Sequence, residues 1–136
     1  LQDLDEKIIC FEGDGGLLMN PGSLSILAKQ EPKNLVLVIL DNAVYGSTGN
    51  VPSYATSLNL GALIQAFGFP ASKILAISTS KDLKDGISRS LNEEGPHVLH
   101  VLTNDVYEGA PIIGHSLLEN KKRFMNSINE ARSEIN

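Results

Sequence analysis

A glycine cluster around one aspartate is the first feature of this sequence that could do chemistry. It reads Gly13-Asp14-Gly15-Gly16 and directly follows an apolar run. Glycines at a strand end let backbone N–H groups approach a phosphate, and the start of a following helix favours the same anion. A carboxylate there would repel the phosphate unless a cation lies between the two. Asp14 therefore predicts a bound cation; the alternative is a turn carboxylate that caps a helix.

A second oxygen ligand is predicted after the next apolar run, which ends in Leu40-Asp41-Asn42. Neighbouring strands lie about 4.8 Å apart, so the residues just past their ends converge, and Asn42 is expected near Asp14. A carboxylate, an amide oxygen and a backbone carbonyl of the following turn, completed by diphosphate oxygens and water, form the all-oxygen site that Mg²⁺ prefers. The alternative for Asn42 is a left-handed turn residue. Asp41 is interpreted as a structural hydrogen-bonding residue rather than a ligand.

The same cluster also invites comparison with the dinucleotide-binding fingerprint, in which Asp41 would be the ribose-binding acid. Leu18 stands where that pattern needs its third glycine. Asp14 would also place a negative charge where the pyrophosphate lies. The sequence thus favours a metal-dependent diphosphate site over a dinucleotide site.

The elements that must position these residues alternate between strands and helices. Right-handed crossovers between such elements predict an α/β fold with three αβα layers, a mostly parallel sheet with helices on both faces, and ligands at the carboxyl ends of the strands. The first two strands are expected to be buried. The stretch Asp41–Ser57 has no predicted element, which makes it a site candidate. The predicted strands are Lys7–Phe11, Leu35–Leu40, Lys73–Ser78 and His97–Thr103; the predicted helices are 21–30 with Asn20 as N-cap, Leu58–Phe67, Lys81–Glu93 and Ser116–Glu134.

Length and charge exclude several function classes. A chain of 136 residues is expected to form a single domain, and its net charge of −5 gives no basic surface for nucleic acid or an anionic membrane. The apolar runs are too short to span a bilayer. The lone cysteine, Cys10, cannot form an internal disulfide and is expected in the core, and this cysteine usage favours a reducing cytoplasmic compartment.

The histidines and the last basic cluster are predicted to be structural. His97 and His100 stand three apart on one strand, so their side chains should point to opposite faces. His115 precedes a helix, where capping or solvent exposure is the default. Lys121, Lys122 and Arg123 are expected on a solvated helix face.

The spacing of the two oxygen ligands carries a family resemblance. Gly13-Asp14-Gly15 with Asn42 28 positions after the Asp resembles the thiamine diphosphate-binding motif, and the sequence Tyr45-Gly46-Ser47-Thr48-Gly49 is similar to the β chains of the sulfopyruvate decarboxylase family, with the phosphonopyruvate decarboxylases as next of kin. The likeness covers nearly the whole chain. It implies a single diphosphate domain of the thiamine diphosphate-binding fold over residues 1–136, which is expected to lack the N-terminal strand and Gly-rich segment of a complete domain.

The resemblance also implies roles for individual residues. Asp14, Asn42 and the carbonyl of Val44 would hold Mg²⁺. Tyr45, Ser47 and Thr48 are candidate catalytic residues that would donate hydrogen bonds to a sulfonate or phosphonate group, although an ordinary turn uses the same residue types. The residues expected to bind thiamine diphosphate are Gly13, Asp14, Gly15, Gly16, Leu17, Asn42, Val44, Tyr45 and Gly46.

The activity that the resemblance implies is half of a decarboxylase. The glutamate that activates the cofactor would come from a pyrimidine-domain α chain, so a heterotetramer or larger assembly is expected. The reaction implied is conversion of the 2-oxo acid sulfopyruvate to sulfoacetaldehyde and CO₂, a step of coenzyme M synthesis. The alternatives are phosphonopyruvate decarboxylase, another thiamine diphosphate enzyme subunit, and a non-catalytic nucleotide-binding module.

Overall fold

A four-stranded parallel sheet forms the centre of the computed structural model, which describes residues 4–104 and 114–134. The strands are β1 (Ile8–Gly13), β2 (Leu35–Asp41), β3 (Val44–Tyr45), β4 (Val51–Pro52), β5 (Ile74–Ile77) and β6 (His97–Leu102). The order in the sheet is β1-β2-β6-β5, so β6 lies between β2 and β5. The two short strands β3 and β4 pair antiparallel to form a separate hairpin.

Helices pack against both faces of the sheet, which confirms the predicted three-layer α/β fold. One core joins side chains of the first three helices, including Leu24 and Ile64, to Ile39 on the sheet. The opposite core joins Leu83 of the fourth helix to Val38. Within the described ranges, no helix has the length and apolar character needed to cross a membrane. The helices are α1 (Asp14–Met19), α2 (Ser23–Gln30), α3 (Leu60–Ala66), α4 (Ser80–Asn92) and α5 (Leu117–Glu134).

Side-chain caps fix where α3 and α4 begin. The Asn59 side chain accepts a hydrogen bond from the Ala62 N–H at 3.0 Å. Thr79 and Asp82 form a reciprocal capping box at the start of α4. Each such cap stabilises a helix by about 1 kcal/mol.

The boundary predicted for the first helix is wrong. The helix there, α2, begins at Ser23, and a separate helix, α1, precedes it, so Asn20 lies at the C-terminal end of α1 instead of capping a helix from Pro21. The Ser23 N–H and hydroxyl both donate to the Asn20 carbonyl, so residues 20–22 form a turn before α2. The glycines after β1 thus begin a helix at once, which the sequence pattern did not reveal.

The expectation that β1 is a buried strand is also wrong. Within the described sheet β1 pairs only with β2 and lies at the edge, where Phe11 is 67% exposed and Cys10 is exposed as well. On one face α4 covers the β5–β6 half, and an apolar groove of about 250 Å³ remains between β1, β2 and α4. The prediction for the second strand is confirmed, since β2 is buried from Val36 to Ile39.

The two histidines of β6 point to opposite faces, as predicted. His100 lies on the face of Ile39, whereas His97 lies on the face of Val36. His97 is fully buried, and neither of its ring nitrogens has a hydrogen-bond partner among the described residues. Burial lowers the pKa of His97 below its ordinary value of 6.5, and the nearby Lys73 acts in the same direction. Burial therefore disfavours the charged form of the ring, although Glu93 opposes the shift from 3.7 Å.

This buried imidazole predicts a loss of stability in mild acid. Because the pKa is lower in the folded than in the unfolded chain, its contribution is fully present above about pH 6.5 and is lost as the pH falls toward the folded value, by up to about 1.4 kcal/mol per pH unit. Urea unfolding at pH 8, 6.5 and 5.5 measures this effect. His97→Leu should flatten the acid side of the stability profile. The exposed His115→Gln is the control, and equal slopes in all three proteins would contradict the prediction.

Candidate functional site

Asp14 occupies the point where the carboxyl ends of β1 and β2 meet. Parallel pairing sets Gly13 beside Leu40, so Asp14 and the residues that follow β2 lie at one edge of the sheet. Asp14 opens α1 and is only 1% exposed. Its Oδ2 accepts a hydrogen bond from the hydroxyl of Ser53, which is itself buried. Burying a carboxylate costs free energy unless other groups compensate its charge. A cation bound at Asp14 would supply that compensation.

The turn after β2 presents the two other predicted ligands. Asn42 is half-buried, and its Oδ1 accepts a hydrogen bond from the Val44 N–H at 3.3 Å. An amide oxygen has two lone pairs, so this weak bond leaves capacity for a metal ion. Ala43 between them has φ 60°, the left-handed conformation that alanine rarely adopts. The turn therefore has one defined shape that other groups must hold.

The stretch expected to have no regular structure is a folded hairpin. β3 and β4 are joined by a 3₁₀ turn, and the Asn50 N–H closes the hairpin on the Tyr45 carbonyl at 3.1 Å. The Ser53 N–H donates to the Ala43 carbonyl at 2.9 Å, which ties the end of the hairpin to the turn after β2. Two-residue strands carry no alternation pattern, so the sequence could not predict them.

Close packing at the start of α1 explains the glycines. Gly15 is buried, and a Cβ there would lie 2.6 Å from Tyr45 Cδ1, closer than two carbon atoms can approach. A Cβ on Gly16 would collide with the Glu12 carboxylate, and Glu12 Oε1 accepts the Gly13 N–H at 3.0 Å. Glu12 was not singled out in the sequence. It adds a second carboxylate at this edge, and the additional negative charge favours a bound cation.

The structure separates the predicted site residues into two groups. Asp14, Gly15 and Tyr45 come together, and Ser53 joins them. Ser47 and Thr48 lie exposed in the 3₁₀ turn of the hairpin, where the Thr48 hydroxyl donates to the Tyr45 carbonyl at 3.2 Å. Ser53 lies in the candidate stretch Asp41–Ser57, but its bond to Asp14 spans 39 positions and could not be predicted from the sequence. The remaining predicted residues are the half-buried Gly46 and Leu17, whose side chain belongs to the core.

The arrangement fits a divalent cation bound to a diphosphate. The candidate donors are a carboxylate, an amide oxygen and a backbone carbonyl, all of the hard oxygen type that Mg²⁺ takes. In the described part of the chain no three His, Cys, Asp or Glu side chains cluster as a metal site, so main-chain and amide oxygens would be needed here. His115 lies on the surface beside Glu119 and Arg123, with 3.3 Å between His115 Nδ1 and Glu119 Oε1.

Comparison with known proteins agrees with this geometry. Residues 1–101 match the family described as thiamine pyrophosphate enzyme, C-terminal TPP binding domain. The chain is 36% identical over 125 residues to sulfopyruvate decarboxylase subunit beta of Methanococcus maripaludis, covering 92% of this chain and 66% of that one.

Two further relatives also carry the names of decarboxylases or their subunits. The sulfopyruvate decarboxylase subunit beta of Methanothermobacter thermautotrophicus is 32% identical over 130 residues, covering 96% of this chain and 66% of that one. Phosphonopyruvate decarboxylase of Streptomyces viridochromogenes is 34% identical over 94 residues, covering 69% of this chain and 23% of that one. The chain thus spans 66% of the length of the β subunits that it matches. It belongs to the thiamine pyrophosphate enzyme family, in which it carries the C-terminal TPP-binding domain.

Proposed function

We propose that this chain is the diphosphate-binding subunit of a thiamine diphosphate-dependent decarboxylase that converts sulfopyruvate to sulfoacetaldehyde and CO₂. The observation that carries the proposal is the buried Asp14 within its glycine cluster, at the edge where β1 and β2 end. Similarity to sulfopyruvate decarboxylase β subunits supports the choice of substrate.

The chain's own residues would bind and orient the cofactor tail. Asp14, Asn42 and the Val44 carbonyl would hold Mg²⁺, and the backbone N–H groups from Gly15 onward would face the diphosphate. The buried Asp14 carboxylate and the diphosphate would repel each other without the ion, so metal and cofactor should bind together. When bound, thiamine diphosphate supplies the nucleophile and the electron sink through which a 2-oxo acid loses CO₂.

Substrate contacts would come from the hairpin. Tyr45 packs on Gly15 next to the proposed metal, whereas Ser47 and Thr48 lie at the exposed turn. The Ser47 hydroxyl would donate to a sulfonate, and the Thr48 hydroxyl would do so only after leaving the Tyr45 carbonyl. The pyrimidine-binding half, with its activating glutamate, would come from an α chain that covers this hairpin. Two copies of each chain would give a heterotetramer. A Lys or Arg of the α chain would balance the second negative charge of the substrate.

Calorimetry tests the binding half of the proposal. Thiamine diphosphate is titrated into the chain with and without Mg²⁺, first alone and then mixed with a pyrimidine-domain chain. Binding that requires Mg²⁺ supports the proposal. Absence of Mg²⁺-dependent binding even in the mixture would favour a non-catalytic module instead.

Phosphonopyruvate decarboxylation is the second candidate, because phosphonopyruvate decarboxylases of two Streptomyces species are 34% and 35% identical to this chain over 94 residues. Both substrates present a 2-oxo acid with a second anionic group, so the fold does not separate them. CO₂ release by the two-chain complex from each substrate does. Turnover of phosphonopyruvate but not sulfopyruvate would refute the first assignment.

A further inference from the structure

A histidine–aspartate pair with little solvent exposure lies directly behind the turn that carries two of the proposed metal ligands. Asp41 ends β2 and is 8% exposed, and His100 of the neighbouring β6 is half-buried. The distance from His100 Nε2 to Asp41 Oδ2 is 2.8 Å. With the carboxylate oxygen as the acceptor, His100 donates through Nε2. The pair therefore fixes the orientation of both the His100 ring and the Asp41 carboxylate.

The other carboxylate oxygen of Asp41 shapes the turn itself. Asp41 Oδ1 accepts the Ala43 N–H at 3.1 Å. Ala43 holds the left-handed conformation, which costs an alanine about 1–2 kcal/mol and persists only where neighbouring groups impose it. The Asp41 carbonyl is also bound, by the Thr103 N–H at 2.8 Å. Asp41 is thus held by β6 and in turn holds Ala43.

Ala43 stands between the two proposed ligands. Asn42 precedes it and Val44 follows it, so the backbone angles of Ala43 decide where the amide oxygen and the carbonyl oxygen point relative to Asp14. On this geometry we propose that His100 is a positioning residue for the metal site: through Asp41 it sets the turn that aims both oxygens at the ion. The inference rests on the proposed function, since it presumes the Mg²⁺ site. His100 itself would touch neither the ion nor the cofactor.

Removing a hydrogen-bond partner of this outer kind weakens metal binding by about 10–100-fold. The test is a calorimetric titration of Mg²⁺ into this chain mixed with the pyrimidine-domain chain, at a fixed concentration of thiamine diphosphate, for the wild type, His100→Leu and His100→Gln. We expect His100→Leu to weaken the apparent Mg²⁺ affinity by about 10–100-fold. His100→Gln keeps an N–H donor near the position of Nε2, so it should restore most of the affinity.

Matched controls separate positioning from general damage to the strand. His97→Leu is the same substitution in β6, but on the opposite face and far from the turn, and it should leave the Mg²⁺ affinity unchanged. Asp41→Asn should weaken Mg²⁺ binding, and adding His100→Leu to it should cause little further loss, because the two residues act in one chain of contacts.

The outcomes distinguish the two proposals. Wild-type Mg²⁺ affinity in His100→Leu, or equal losses in His100→Leu, His100→Gln and His97→Leu, overturns the positioning role. Asp14→Ala in the same titration tests the site: if it binds Mg²⁺ and thiamine diphosphate like the wild type, the proposed function fails and this inference with it. Loss in Asp14→Ala with no loss in His100→Leu leaves the function standing and removes the inference alone.

Discussion

Asp14→Ala should abolish Mg²⁺-dependent binding of thiamine diphosphate. Loss of an outer hydrogen-bond partner already weakens metal sites by about 10–100-fold, so removal of the only carboxylate in the proposed donor set should weaken binding by more than about 100-fold. Metal and cofactor should be lost together, because the ion is what relieves the repulsion between the diphosphate and the acidic edge formed with Glu12. Calorimetric titration of thiamine diphosphate at saturating Mg²⁺ measures the effect.

Two variants separate this loss from unfolding. Asp14→Ala leaves the buried Ser53 hydroxyl without its acceptor, so part of any effect could come from the fold. Asp14→Asn keeps the shape and an oxygen acceptor for Ser53 but removes the charge. It should unfold in urea near the wild-type midpoint and still fail to bind. Asp85→Ala removes an exposed carboxylate on α4 and should change neither property. Normal binding by Asp14→Asn would show that the charge is not required.

The sequence predicts best those features that depend on a single strand, namely its boundaries and the residues just past its end. The apolar runs predicted β2, β5 and β6 to within one residue at each end, and the spacing from Asp14 to Asn42 placed both residues at one edge of the sheet. Parallel strands must end at the same edge, so this step needed no knowledge of tertiary contacts. The structural role expected for Asp41 also agrees with its hydrogen bonds to Ala43 and His100.

The sequence predicts poorly the burial and hydrogen bonding of residues whose neighbours are distant in sequence. Cys10 lies in an apolar run that resembles a buried strand, but its burial depends on what lies beyond β1, and β1 is at the edge of the described sheet. The bond from Ser53 to Asp14 depends on a hairpin whose strands are two residues long. The pairing of His100 with Asp41 requires β6 to lie between β2 and β5, and the order of elements along the chain does not fix that insertion.

Gly15→Ala should disrupt the site through Tyr45. The new Cβ would lie 2.6 Å from Cδ1 and 3.2 Å from Cζ of the Tyr45 ring, against a normal carbon–carbon separation of about 3.5–4.0 Å, so the ring must move by about an ångström. The Tyr45 carbonyl is bonded to both Asn50 and Thr48 within the hairpin, so Tyr45 cannot move without the residues around it. Displacement would pass to Val44, whose carbonyl is a proposed metal ligand.

The expected loss from Gly15→Ala is about 100-fold in kcat/KM, the effect typical of misplacing catalytic groups by about 1 Å. CO₂ release by the proposed two-chain complex, with sulfopyruvate as the proposed substrate, measures it. Gly22→Ala is the matched control, because the nearest atom to its new Cβ would be 3.8 Å away. A Tyr45→Ala background provides the decisive comparison: once the ring is gone, adding Gly15→Ala should cost little more. If the loss is as large without the ring as with it, then Gly15 is needed for the approach of the diphosphate itself and Tyr45 does not transmit the effect.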